Sequence, residues 1–174
     1  MFKRLSTSLL AATLLLSAVP ARSYTLMYTD ASGTIQIKWA TTVIPIAISS
    51  SMSSASNIKA GSDVDGAVRR ALKHWSDAGG IQFTVTTSSV QAAVQDSVNL
   101  ITVTNNGVTF SDANNPGRAR VFFDPTNGRI QESDVALNPA SQFSTDGTLN
   151  TFDLESTLTH EIGHLLGLEH SGVI

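Results

Sequence analysis

The sequence predicts an α+β fold in which one mixed β-sheet carries two helices. Three observations lead there. Alternating or β-branched apolar stretches recur between turn-forming residues, while two other segments space their apolar residues at the helical period. Their order along the chain reads β-α-β-β-β-β-α, the pattern of a sheet with helices packed on it. The chain has 174 residues, 41% of them hydrophobic, which suits one domain with a real core and is too short for two ordinary ones. It shows no internal repeat and no linker that would divide it.

Residues 1–23 read as a targeting segment. Lys3 and Arg4 supply a positive start, and Leu9 to Val19 is an apolar run interrupted only by Thr13 and Ser17. Pro20 then precedes Ala21-Arg22-Ser23, with small residues at the −3 and −1 positions of a cut after Ser23. A membrane anchor needs about 20 apolar residues, roughly twice this run. We therefore expect residues 24–174 to be an exported mature domain, extracellular or periplasmic, with no membrane partner.

The mature chain opens with two strand-like runs, Ile35 to Trp39 and Ile44 to Ile48. Pro45 should confine the second to a sheet edge or to a strand start, because proline cannot donate to a ladder. Ser49 to Ser56 is small and polar and reads as a solvated loop. Val64, Val68, Ala71, Leu72 and Trp75 then mark one face of an amphipathic helix. Ser62 or Asp63 can cap its start, and Gly79-Gly80 should stop it.

Ile81 to Val85 alternates cleanly, and Val98 to Thr104 is a β-branched run closed by the turn pair Asn106-Gly107. A loop through Asn114-Asn115-Pro116-Gly117 leads to a short strand, Arg118 to Phe123. Asp124 to Gly128 is hairpin chemistry, followed by a strand from Ile130 to Leu137. The second helix fits Asp153 to Leu166, with Leu154, Leu158, Ile162 and Leu165 on one face.

Composition narrows the function. Lys plus Arg total 11 against 14 acids, a net charge of −3. Without Lys3, Arg4 and Arg22 the balance becomes 8 against 14, or −6. Nucleic acid is thereby a poor partner, since phosphate contacts need clustered cations. Cysteine is absent, which excludes disulfides, a catalytic thiol and a thiolate metal site.

The chemistry concentrates in the second helix, which reads His160-Glu161-Ile162-Gly163-His164 and continues to Gly167 and His170. Residues four apart share a helix face, so His160 and His164 can offer ring nitrogens to one ion. Glu161 then stands beside the metal, placed to hold a water and take its proton. A third ligand on the same straight helix would point away. Gly167 can end the helix and turn the chain back, so that His170 completes three nitrogens and leaves a fourth position open. That is the catalytic zinc arrangement. Chance occurrence of these five fixed positions is on the order of one in 10⁵. His74, off the apolar stripe of the first helix, reads as a surface residue.

The stretch HEIGHLLGLEHS resembles the extended zinc motif of the metzincins, and Ser171 after the third histidine resembles the matrixin branch. The upstream outline is similar too: Lys38-Trp39 before a strand, then a helix ending in Ala71-Leu72-Lys73-His74-Trp75. The resemblance implies a metzincin-like twisted five-stranded sheet, four strands parallel and one antiparallel edge along which a peptide lies. Arg118 to Phe122 matches that edge, which would put Ala119 and Arg120 near the cleft. It implies one catalytic zinc on His160, His164 and His170, Glu161 as general base, and a monomer acting on a peptide or protein substrate.

Departures from the family are equally plain. There is no cysteine for a cysteine switch, and His74 alone cannot build a second zinc site. Asp112, Asn114, Asp124 and Asn127 could offer oxygens to Ca2+, although Asp and Asn beside Gly and Pro are ordinary turn residues. No methionine follows Met52, so the family's methionine turn is not in these residues. We thus expect a C-terminally incomplete domain whose His170 rides a loose tail, with weakened zinc binding and little activity. The rival from another class is a non-catalytic zinc-binding fragment or pseudoenzyme that binds peptides along its sheet edge.

Overall fold

The computed structural model describes residues 25–170, so the targeting segment inferred for residues 1–23 and Ser171 lie outside the described residues. In chain order the elements are β1 (Thr25–Leu26), β2 (Val43–Ser49), α1 (Val64–Gly79), β3 (Gln82–Ser88), β4 (Leu100–Val103) and β5 (Gly117–Phe123). They continue as β6 (Ile130–Leu137), β7 (Phe143–Ser144), β8 (Phe152–Asp153), α2 (Leu154–Leu165) and β9 (Leu168–Glu169). Among the described residues no helix is long and apolar enough to cross a membrane.

Five strands form the main sheet in the order β3-β2-β4-β6-β5. The first four run parallel, and β5 closes one edge antiparallel to β6. This is the α+β architecture expected from the resemblance. Ile44, Ile46 and Ile48 alternate along β2 and so point to one face. There they join Val68 and Leu72 of α1 and Leu154, Leu158, Ile162 and Leu165 of α2 in a single buried cluster. Asp63 caps α1, its side chain accepting the Gly66 N–H at 3.0 Å, and Gly80 in the left-handed conformation ends it.

Two expectations need correction. Ile35 to Trp39 is not a sheet strand. Its hydrogen bonds are split, Ile37 N–H donating to Met27 and Lys38 N–H to Gly128, so no single neighbour runs alongside to build a ladder. β2 is interior rather than an edge, and Pro45 lies near its start. Its pairing to β4 starts only at Ala47, so the donor that Pro45 lacks falls before that ladder begins, and the Pro45 carbonyl accepts from Asn99 Nδ2 at 2.8 Å. The serine-rich segment is not wholly solvated either. Met52 opens a 3-10 turn, Met52–Ser54, and is buried in the core, because one long apolar side chain is enough to pull the loop inward.

His74 is on the surface, as expected, and its Nε2 lies 2.8 Å from Glu155 Oε1. Arg70 joins Glu155 to Asp63, tying the two helix starts together. Exposed pairs of this kind contribute little each.

Candidate metal centre

The site is built by pinning α2 from one side and bending the chain that leaves it. Asp153 caps the helix, accepting the Ser156 N–H at 2.7 Å, and the four apolar residues of its inner face are fully buried. His160 and His164 are thereby left on the other side, above a cavity of about 640 Å³. The helix ends at Leu165, whose carbonyl accepts the Trp39 indole N–H at 3.0 Å. Gly167 makes the turn at φ +90°, and a Cβ there would stand 2.5 Å from the Ile37 carbonyl oxygen, so only glycine fits. The turn delivers β9 and then His170.

The three Nε2 atoms converge. They lie 2.9 Å apart for His160 and His170, 3.1 Å for His164 and His170, and 3.2 Å for His160 and His164. Tetrahedral zinc, with Zn–N near 2.0–2.1 Å, spaces its nitrogens about 3.3 Å apart, so the trio is of the right size. The tautomer is right as well. His164 Nδ1 is 2.7 Å from the Leu168 carbonyl, which can only accept, so the ring proton sits on Nδ1 and the Nε2 lone pair faces the other histidines. Burial holds the His160 imidazole below its ordinary pKa, favouring the neutral form that can ligate.

Glu161 stands beside this cluster and not in it. It is only 6% exposed, and burial pushes its carboxyl up to about 7, with the Ala119 N–H and the charges of His170 and Arg118 pulling back. Room for it comes from β5. A Cβ on Gly117 would meet the Glu161 side chain, a close approach that the expectation of a loop at Gly117 does not contain. The available signal was a glycine placed directly before a strand.

Of the two residues inferred for substrate contact, Ala119 lines this cavity and Arg120 does not. The Arg120 guanidinium is spent on the carbonyls of Ala93 and Gly107, while Arg118 faces the cavity and donates to the Thr109 carbonyl at 2.8 Å. Side-chain oxygens of Asp112, Asp124 and Asn127 serve their own turns. Asp112 Oδ1 accepts the Asn114 N–H, and Asp124 accepts from Thr126 and from Asn127 Nδ2. The loose tail expected for His170 is corrected too: β9 pairs antiparallel with β1, Thr25 opposite Glu169 and Leu26 opposite Leu168.

The sequence profile of the matrixin family matches residues 38–173. The chain belongs to the matrixin family. This matrixin is 34% identical over 106 residues to Metalloendoproteinase 1 of Glycine max, a match covering 60% of the chain and 34% of that relative. It is 47% identical over 51 residues to Metalloendoproteinase 4-MMP of Arabidopsis thaliana, covering 29% of the chain and 15% of the relative. The chain therefore spans about a third or less of the length of these curated relatives.

Proposed function

We propose that this matrixin is a secreted zinc endopeptidase. The observation that carries the reading is the convergence of three Nε2 atoms at 2.9–3.2 Å with a buried carboxylic acid at their side. His160, His164 and His170 hold the ion. Zinc bound there supplies a Lewis acid for the scissile carbonyl and a water acidified toward a pKa of about 7.

The chain's own residues do the rest. Glu161 accepts the proton of the attacking water and hands it to the leaving amine. Gly117 and Ala119 fix where that carboxylate sits. β5 is a sheet edge beside the cavity, so an extended peptide can add to it as a further strand. Ala119 contacts that peptide next to the reacting bond, and Arg120 contributes through its backbone, its side chain being committed elsewhere. In this reading residues 1–23 direct export, residues 24–174 are the mature part, and the enzyme works as a monomer.

The test is to purify the chain with zinc, measure the metal by elemental analysis, and assay a mixed peptide library with and without chelator. One zinc per chain with chelator-sensitive cleavage supports the reading. Zinc without cleavage by any preparation favours the non-catalytic zinc-binding reading, and absence of zinc rejects the site.

A further inference from the structure

We propose that the N-terminal strand β1, together with Met27, positions the third metal ligand, so that docking of this strand and zinc binding reinforce each other. His170 is exposed and follows a two-residue strand, and β9 in turn follows a glycine turn. Its own segment cannot hold it still, because ordering loose residues costs backbone entropy. The order comes from the other end of the described chain. Thr25 and Leu26 pair with Glu169 and Leu168, and the Met27 N–H donates to the Gly167 carbonyl at 2.9 Å. The Met27 carbonyl accepts the Ile37 N–H at 2.9 Å, and Ile37 is buried. A buried residue thus anchors Met27, Met27 anchors the turn, and the turn aims His170. Met27 also lines the metal cavity.

The consequence is thermodynamic. An ion that binds better when β9 is ordered must favour the docked β1 by the same factor. Anything that draws residues 25–27 away, such as a segment attached ahead of them or a partner that captures them, lowers zinc affinity without touching a ligand. This rests on the reading of the three histidines as a zinc site.

Two measurements test it. Hydrogen exchange of the intact protein, with and without zinc, should show that the metal slows exchange at residues 25–29 and 167–170. Competition with a chromophoric chelator should show Met27→Pro, which lacks the N–H donor, binding zinc about tenfold more weakly. Met27→Leu, which keeps both donor and bulk, should restore the affinity. Exchange of α1 in the metal-free variant shows that the core is intact, a readout that separates lost positioning from lost folding. If the unaltered protein binds no zinc, both this proposal and the site reading fall. If it binds zinc but exchange at 25–29 does not change, or Met27→Pro binds as tightly as the parent, only the coupling is overturned.

Discussion

A Cβ built on Gly117 would stand 2.7 Å from Cγ of Glu161. The bare edge-strand backbone is therefore one wall of the pocket that holds the buried acid. Any side chain at position 117 must push that acid aside, since real Cβ atoms do not approach carbon so closely.

Gly117→Ala should accordingly leave zinc content unchanged while lowering peptide hydrolysis by about 10²-fold, the scale of a misplaced proton acceptor. Elemental analysis beside kcat/KM checks it. Wild-type rates in the alanine variant would show that Glu161 tolerates displacement.

Glu161→Gln keeps the shape of the side chain but cannot accept a proton. Zinc should be retained and hydrolysis should fall by about 10²-fold or more, mostly in kcat. Loss of the metal from this variant would instead make Glu161 a ligand.

His164→Ala removes the proposed ligand whose tautomer is set by the Leu168 carbonyl. The variant should emerge from dialysis without stoichiometric zinc. In the unaltered protein, zinc affinity should decline as pH falls, because protonated imidazoles cannot ligate. Equal zinc in both proteins after dialysis is the outcome that contradicts the assignment.

Much of this was legible in the residues. The spacing of His160, His164, Gly167 and His170 determines which side chains meet, because the helix fixes the first pair and a glycine turn the third. α2 was readable because cap, apolar stripe and stop agree within one short window. The parts that escaped depend on partners far away in sequence. Whether Ile35 to Trp39 becomes a strand turns on what runs beside it, and two separate segments do. Pro45 sits in an interior strand because β4 is too short to need its donor. Gly117 gained its meaning only from Glu161, and the strand that pairs with β9 just before His170 is Thr25 and Leu26, more than 140 residues earlier.

A buried acid that bears on stability lies beside the same edge strand, Asp134 pairing with Arg120 of β5. Asp134 of β6 is 1% exposed, and its Oδ1 accepts the Leu100 N–H at 3.0 Å while Oδ2 is buried without a partner among the described residues. Burial pushes its carboxyl up to about 7, with Glu132 and Asp96 adding to the rise and the Leu100 N–H opposing it. In the unfolded chain the group titrates near 3.8. Between these values the folded state holds a proton that the unfolded state has lost, so stability falls as pH rises through this window. The contribution is complete below about pH 4 and gone above about pH 7, and its size is on the order of a few kcal/mol. Asp134→Asn keeps the oxygen for Leu100 and cannot ionise. Glu161, raised in the same direction, titrates in both proteins, so the difference between them isolates Asp134. Urea midpoints measured with chelator at pH 5 and pH 8 should drop more for the parent than for the variant. Equal drops would mean that Asp134 is charged in the folded protein at both pH values.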